Sequence, residues 1–145
     1  MNRIFTVVYP HRVRFSRYDE THFLVYLHET ATDYQPDADS EPVPGFSYMG
    51  TMPDGGTLID CDEENQNKLI NGIIRSRYLQ TEEDAIKTHQ IQVLQDNNLE
   101  SGTMSEEKKA EYLSEWREFQ EWRQYAINLV RSWFEESADP VQEGE

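Results

Sequence analysis

The stretch Thr57-Leu58-Ile59-Asp60-Cys61-Asp62-Glu63-Glu64, continued by Leu69, Ile70, Ile73 and Ile74, decides the fold class. Up to Cys61 the apolar residues come in short runs rich in β-branched and aromatic side chains, bounded by turn formers, as strands require. From Asp62 the pattern changes. Three acids sit where a helix dipole favours negative charge, and the four aliphatic residues recur at i, i+1, i+4 and i+5, which is one face of a helix. The chain is therefore expected to be α+β. An N-terminal antiparallel β-sheet falls within residues 1–61, and two or three helices occupy 62–136 of the same or a closely packed domain, the last of them long and aromatic-rich. Residues 137–145 read as a flexible acidic tail.

Working back from Cys61, the strand candidates are Ile4 to Tyr9, Arg12 to Phe15, His22 to His28, Phe46 to Thr51 and Thr57 to Cys61. Ala31 to Gly45 holds three prolines and four acids, and predicts a mobile loop. Pro53-Asp54-Gly55-Gly56 predicts a hairpin turn between the last two strands, with Pro53 at the second position and the glycines supplying positive φ. In His11-Arg12-Val13-Arg14-Phe15 an extended backbone sends the two arginines to a solvated face and Val13 and Phe15 inward.

Working forward, Thr81-Glu82-Glu83-Asp84 resembles a capping box that opens a second helix, and Ala85, Ile86, Val93 and Leu94 are placed on its apolar face up to Asn97. His89 lies on that face as a hydrogen-bonded core or boundary residue rather than a ligand. Asn97 to Thr103 reads as a linker, and Ser105 with Glu106 and Glu107 opens a third helix reaching about Glu136. Along it Tyr112, Trp116, Phe119, Arg123, Ala126, Val130 and Trp133 recur at alternating spacings of four and three, a heptad-like, coiled-coil seam interrupted by Arg123 and flanked by Leu113, Ile127 and Phe134. Such a seam is that of a helix packed on the other helices and the sheet, or of a self-associating or partner-binding helix. The second reading rests on Trp122, which lies off the seam, where an exposed indole would anchor an interface. The candidate partner-binding set is Trp116, Phe119, Trp122, Arg123 and Trp133, for a partner protein or a second copy of the chain.

Composition narrows the classes. The 145 residues carry 13 basic and 28 acidic side chains, a formal charge of −15. Such a charge repels a phosphate backbone, and nucleic acid is not expected as a partner. No Lys or Arg occurs between Arg17 and Lys68. No apolar run approaches the roughly 20 residues of a membrane span, and the first residues lack the apolar region and cleavage site of a signal peptide. The expected location is cytoplasmic. The four histidines and Cys61 form no ligand set, since His22 and His28 stand roughly 20 Å apart along an extended strand. A calcium loop starting at Asp60 would need glycine and glutamate where Asn65 and Asn71 stand. Gly-x-Ser-x-Gly is absent from the sequence. Neither a catalytic set, nor a metal, nor a cofactor is expected, and the chain reads as a non-enzyme.

Three stretches together carry a resemblance. They are Phe46-Ser47-Tyr48-Met49-Gly50-Thr51 with Asp54-Gly55-Gly56-Thr57, then Arg77-Tyr78-Leu79-Gln80-Thr81-Glu82-Glu83-Asp84-Ala85-Ile86, then Tyr112-Leu113-Ser114-Glu115-Trp116-Arg117-Glu118-Phe119-Gln120-Glu121-Trp122-Arg123. Their order resembles small proteins encoded among the tail genes of tailed bacteriophages and prophages, tail fibre assembly chaperones included. Those proteins carry a Y-x-x-x-x-E-x-A-I helix start and an E-W-x-x-F/Y-x-x-W/Y helix. Many end in a Pro-rich segment, whereas this chain has only Pro140 there. The resemblance implies a non-enzymatic protein in the host cytoplasm, or associated with the virion, that assists assembly or attachment of a tail fibre or other tail component. The alternatives are a structural component of the virion and an acidic inhibitor that mimics nucleic acid, the latter suggested by the charge.

Overall fold

The structure, a computed structural model, describes residues 3–100 and 102–137; most of the expected acidic tail, 138–145, lies outside the described residues. The elements run β1 (Phe5–Tyr9), β2 (Phe15–Arg17), β3 (His22–Val25), β4 (Thr30–Tyr34), β5 (Val43–Gly50), β6 (Thr57–Asp60), α1 (Gln66–Arg77), α2 (Gln80–Asn97) and α3 (Glu106–Ser137). This is the expected α+β order. The chain divides into two compact units, one of Met1–Gly72 and one of Ile73–Glu145, so the division falls inside α1.

In the first unit the strands form two three-stranded antiparallel sheets rather than one, ordered β1-β5-β4 and β2-β3-β6. The registers are fixed by pairs such as Val7↔Tyr48 in the first and Leu24↔Leu58 in the second. The chain leaving β3 joins them, because the amide of Met49 donates to the carbonyl of Leu27 at 3.2 Å. His28, with φ of 60°, then ends that segment short of the expected strand. Where the two sheets meet, Tyr9, Tyr26 and Tyr48 form a triangle of rings with centroids 5.9 to 6.1 Å apart. Each phenol finds a partner, as buried phenols must. Tyr9 donates to the carbonyl of Asp54, Tyr26 donates to its carboxylate at 2.6 Å, and Tyr48 donates to Glu29 at 2.8 Å while accepting from the amide of Val13. Burial pushes the Tyr48 hydroxyl up to about 12.

Two sequence expectations are corrected here. Pro53 does occupy the second turn position, with the amide of Gly55 donating to Met52 and Gly55 at φ of 86°, but β5 and β6 do not pair as a hairpin. β6 instead pairs with β3, and the turn carries the chain from one sheet to the other. Of the two glycines only Gly55 needs positive φ. The expected mobile loop is also partly strand, since β4 takes Thr30–Tyr34 and β5 begins at Val43. Pro44 is tolerated in β5 because the pairing with β1 ends at Tyr9↔Phe46, so no bond on that side misses its N–H.

The arginine run is less solvated than its alternation suggests. β2 starts only at Phe15, and Arg14 is half-buried. Arg12 pairs with Glu29 at 3.1 Å and lies over the Phe46 ring, and Arg17 donates to the carbonyls of Asp19, Glu20 and Asp62. These cations serve local contacts.

In the first unit α1 starts at Gln66, later than the acids suggest, because Asn65 caps it by accepting from the amide of Lys68. Leu69 is fully buried, and Gly72 brings the helix backbone against β6. A Cβ at Gly72 would stand 2.8 Å from Cδ1 of Ile59 and 2.9 Å from the carbonyl of Asp60. Gly72→Ala is expected to lower stability by about 1–3 kcal/mol through overpacking, measured by urea unfolding. A neutral or positive change would show that α1 has room to lift off β6.

Candidate functional site

The second unit holds the end of α1 and the α2–α3 pair. α2 begins at Gln80 rather than at Thr81, with Glu82 accepting from the amide of Leu79 at 2.7 Å, the reach-back half of a capping box. Its buried residues are Glu83, Ile86, Val93 and Asp96. Two of the residues assigned to the apolar face, Ala85 and Leu94, are exposed. At 3.6 residues per turn Leu94 stands about 80° round the helix from Ile86, whereas Val93 stands only about 20° away.

α3 returns along α2. His89 stacks on Tyr112 with ring centroids 4.0 Å apart and its Nδ1 meets Glu115 Oε1 at 2.5 Å, so the histidine is a hydrogen-bonded boundary residue, as expected. Near the turn Asp96 accepts from the amides of Thr103 and Met104 and pairs with Lys109 at 3.1 Å. Those amide bonds hold the Asp96 carboxyl below the usual carboxylate range although its burial opposes this. The bend after α2 is thus organised by one buried acid.

The five partner-binding candidates are not brought together on a surface. Phe119 is buried and meets Tyr78 edge-on, with centroids 5.2 Å apart. Trp133 is buried as well, Trp116 is half-buried, and Arg123 is exposed. The exposed anchor expected at Trp122 is corrected. Its indole is 7% exposed, donates from Nε1 to the carbonyl of Ile73 at 3.1 Å, and carries Arg77 over its ring. The buried face is Phe119, Trp122, Ala126, Val130 and Trp133. Strict heptad indexing put position 123 in that face, but a guanidinium there would have to be desolvated, while an indole asks for one acceptor. The helix turns Arg123 out and Trp122 in.

The large apolar residues that α2, α3 and their flanking loops expose are aliphatic. Leu79 and Leu99 are 62% exposed, Ile91 and Leu94 are 54%, and Leu113 is 39%. Ile91 and Leu94, three residues apart, share the outward face of α2. Leu99 also lines a hollow of about 390 Å³ with Met104, Lys108, Tyr112, Gln92 and Asp96. The sequence missed this face, and the available signal was the spacing of Ile91 to Leu94, out of phase with Ile86 and Val93.

Elsewhere, a hollow of about 480 Å³ in the first unit is lined by Thr21, Asp60, Cys61, Asp62, Lys68 and their neighbours. Lys68 is committed to Asp62 and Glu63 at 2.9 and 3.0 Å. Burial pushes the Cys61 thiol up, and it donates to the carbonyl of Glu63. His22 pairs with Asp19 and Asp60. Among the described residues no group of three or more His, Cys, Asp or Glu is arranged to hold a metal ion, and no helix is long and apolar enough to cross a membrane. Comparison with known protein families, with curated proteins and with solved structures finds no match to this chain.

Proposed function

We propose that the chain is a non-enzymatic interaction protein of bacteriophage or prophage origin that assists assembly or attachment of a tail fibre or other tail component, and that the outward face of α2 docks the partner. The observation that carries the docking surface is the side-by-side exposure of Ile91 and Leu94, each more than half exposed. Scattered single apolar residues are ordinary on a surface, but a pair aligned on one helix face suits burial under a partner. The tail assignment rests on the resemblance of the helix motifs. A net charge of −15 suits a protein that keeps an aggregation-prone client in solution.

The test is co-expression with the fibre subunit of the phage or prophage that encodes this chain. Soluble trimeric fibre is expected to rise with the wild type and to return to the chain-free level with Ile91→Lys, Leu94→Lys. Equal fibre yield with and without the chain refutes the assembly role. Light scattering on the chain alone separates self-association, since a homo-oligomer built on this face is expected to fall to monomer in the same variant.

A further inference from the structure

We infer that the outer edge of β4, in the first unit, accepts an extended basic segment of a partner protein as an added strand. This surface is separate from the α2 face and does not depend on the function proposed above.

β4 is the outermost strand of its sheet, and Thr30, Ala31, Thr32 and Asp33 are exposed. Its backbone orientation follows from its register. Residues opposite each other in an antiparallel pair either exchange two backbone hydrogen bonds or stand between such pairs. Pro44 has no N–H to exchange, so Asp33↔Pro44 is of the second kind, and by alternation so is Ala31↔Phe46. The N–H and C=O groups of Ala31 and Asp33 therefore point away from β5, toward solvent. Of the other outer strands, β2 is only three residues long, and β1 and β6 are better shielded. β1 is mostly half-buried, with Gly55 against Val7, and β6 lies under α1 at Gly72.

Open edges invite pairing with any extended chain, and proteins commonly guard them with lysine or proline. β4 has neither. On it and following it along the chain are Asp33, Asp37, Asp39 and Glu41, with no lysine or arginine between Arg17 and Lys68, while Glu29 before it is already paired with Arg12. A second copy of β4 would bring Asp33 and its acidic neighbours against their own kind, so self-pairing is opposed. A strand with Lys or Arg at alternate positions meets complementary charge while the ladder supplies backbone bonds. Pro36 limits continuation of the strand, so the added segment matches about five residues.

The probe is a fluorescent peptide of about eight residues alternating lysine and valine, followed by polarisation against the full chain. Saturable binding that weakens with salt is expected, together with a loss of about tenfold when alternate peptide amides are N-methylated. Ala31→Pro removes an outward N–H while its ring also restricts φ, and is expected to give a similar loss with unchanged circular dichroism. The N-methylated peptide decides the matter even if that variant misfolds. Ile91→Lys, Leu94→Lys is expected to bind the peptide like the wild type, which separates this edge from the docking face of α2. Absence of saturable binding, or binding that N-methylation leaves unchanged, overturns the inference.

Discussion

Trp122→Ala is expected to lower the stability of the helical unit by about 3–5 kcal/mol, while Arg123→Ala next to it changes stability by about 0.5 kcal/mol or less. The contrast follows from position alone. Trp122 is 7% exposed, stacks on Tyr125 with centroids 5.3 Å apart, and has its indole N–H bonded to Ile73. Its removal leaves a cavity among rigid neighbours. Trp122→Phe isolates the polar part. The Ile73 carbonyl keeps the Ser76 hydroxyl at 2.6 Å, so loss of the indole donor is expected to cost about 1 kcal/mol beyond the change in packing. Urea unfolding followed by circular dichroism reads all three variants. If Arg123→Ala proved the costly one, α3 would pack through the heptad seam.

That comparison also shows what the sequence disclosed. The change of period at Asp62 is plain because Leu69, Ile73 and Ile74 recur at helical spacing, and each is buried. On α3 the aromatic spacing revealed the helix but not its exact rotation. Trp122 and Arg123 are adjacent, about 100° apart, and two nearby phases fit the same apolar residues. The surface was harder to read. Leu94 was assigned inward by its hydrophobicity, whereas a side chain's phase against Ile86 and Val93 decides its exposure. The two-sheet topology was hidden for a different reason. Pro53-Asp54-Gly55 specifies a turn, yet a turn alone does not specify that its two flanking strands pair. Asp54 is held by Tyr9 and Tyr26, which lie 45 and 28 residues away in the chain. β4 escaped notice because Thr30, Ala31 and Thr32 run into an acidic, Pro-rich stretch whose composition reads as loop.

Glu83→Gln is expected to cost about 2–3 kcal/mol at neutral pH, and the gap from the wild type should close in acid. Glu83 lies in the first turns of α2 with its side chain 11% exposed, and each oxygen has its own cation, Arg75 at 2.6 Å and Lys87 at 2.5 Å. Arg75 also donates to the carbonyl of Tyr78 and to Gln80, so the carboxylate fastens the end of α1 to the start of α2. Burial by itself raises the Glu83 carboxyl, but the bonds from Lys87 and Arg75 outweigh it and hold the carboxyl below the usual 4.5. A depressed carboxyl contributes stability that is complete above the unfolded value and is lost as pH falls through the folded one. The wild type should therefore begin to approach the variant as pH falls below the usual unfolded carboxyl value of about 4.3. The amide in Glu83→Gln keeps one accepting oxygen but turns its NH2 donors to the other cation and leaves Arg75 and Lys87 without their counter-charge, which sets the size of the loss. Arg75 is 22% exposed and Lys87 is 50% exposed, so solvent screens part of the interaction and the loss stays below that of a fully buried pair. Arg75→Met with Glu83→Leu removes the two less exposed charges and is expected to recover part of the loss, Lys87 being half exposed and left to solvent. Urea unfolding at about pH 7 and about pH 3.5 tests the linkage. A Glu83→Gln curve parallel to the wild type across that range would show that the carboxylate holds α1 to α2 by shape and not by charge.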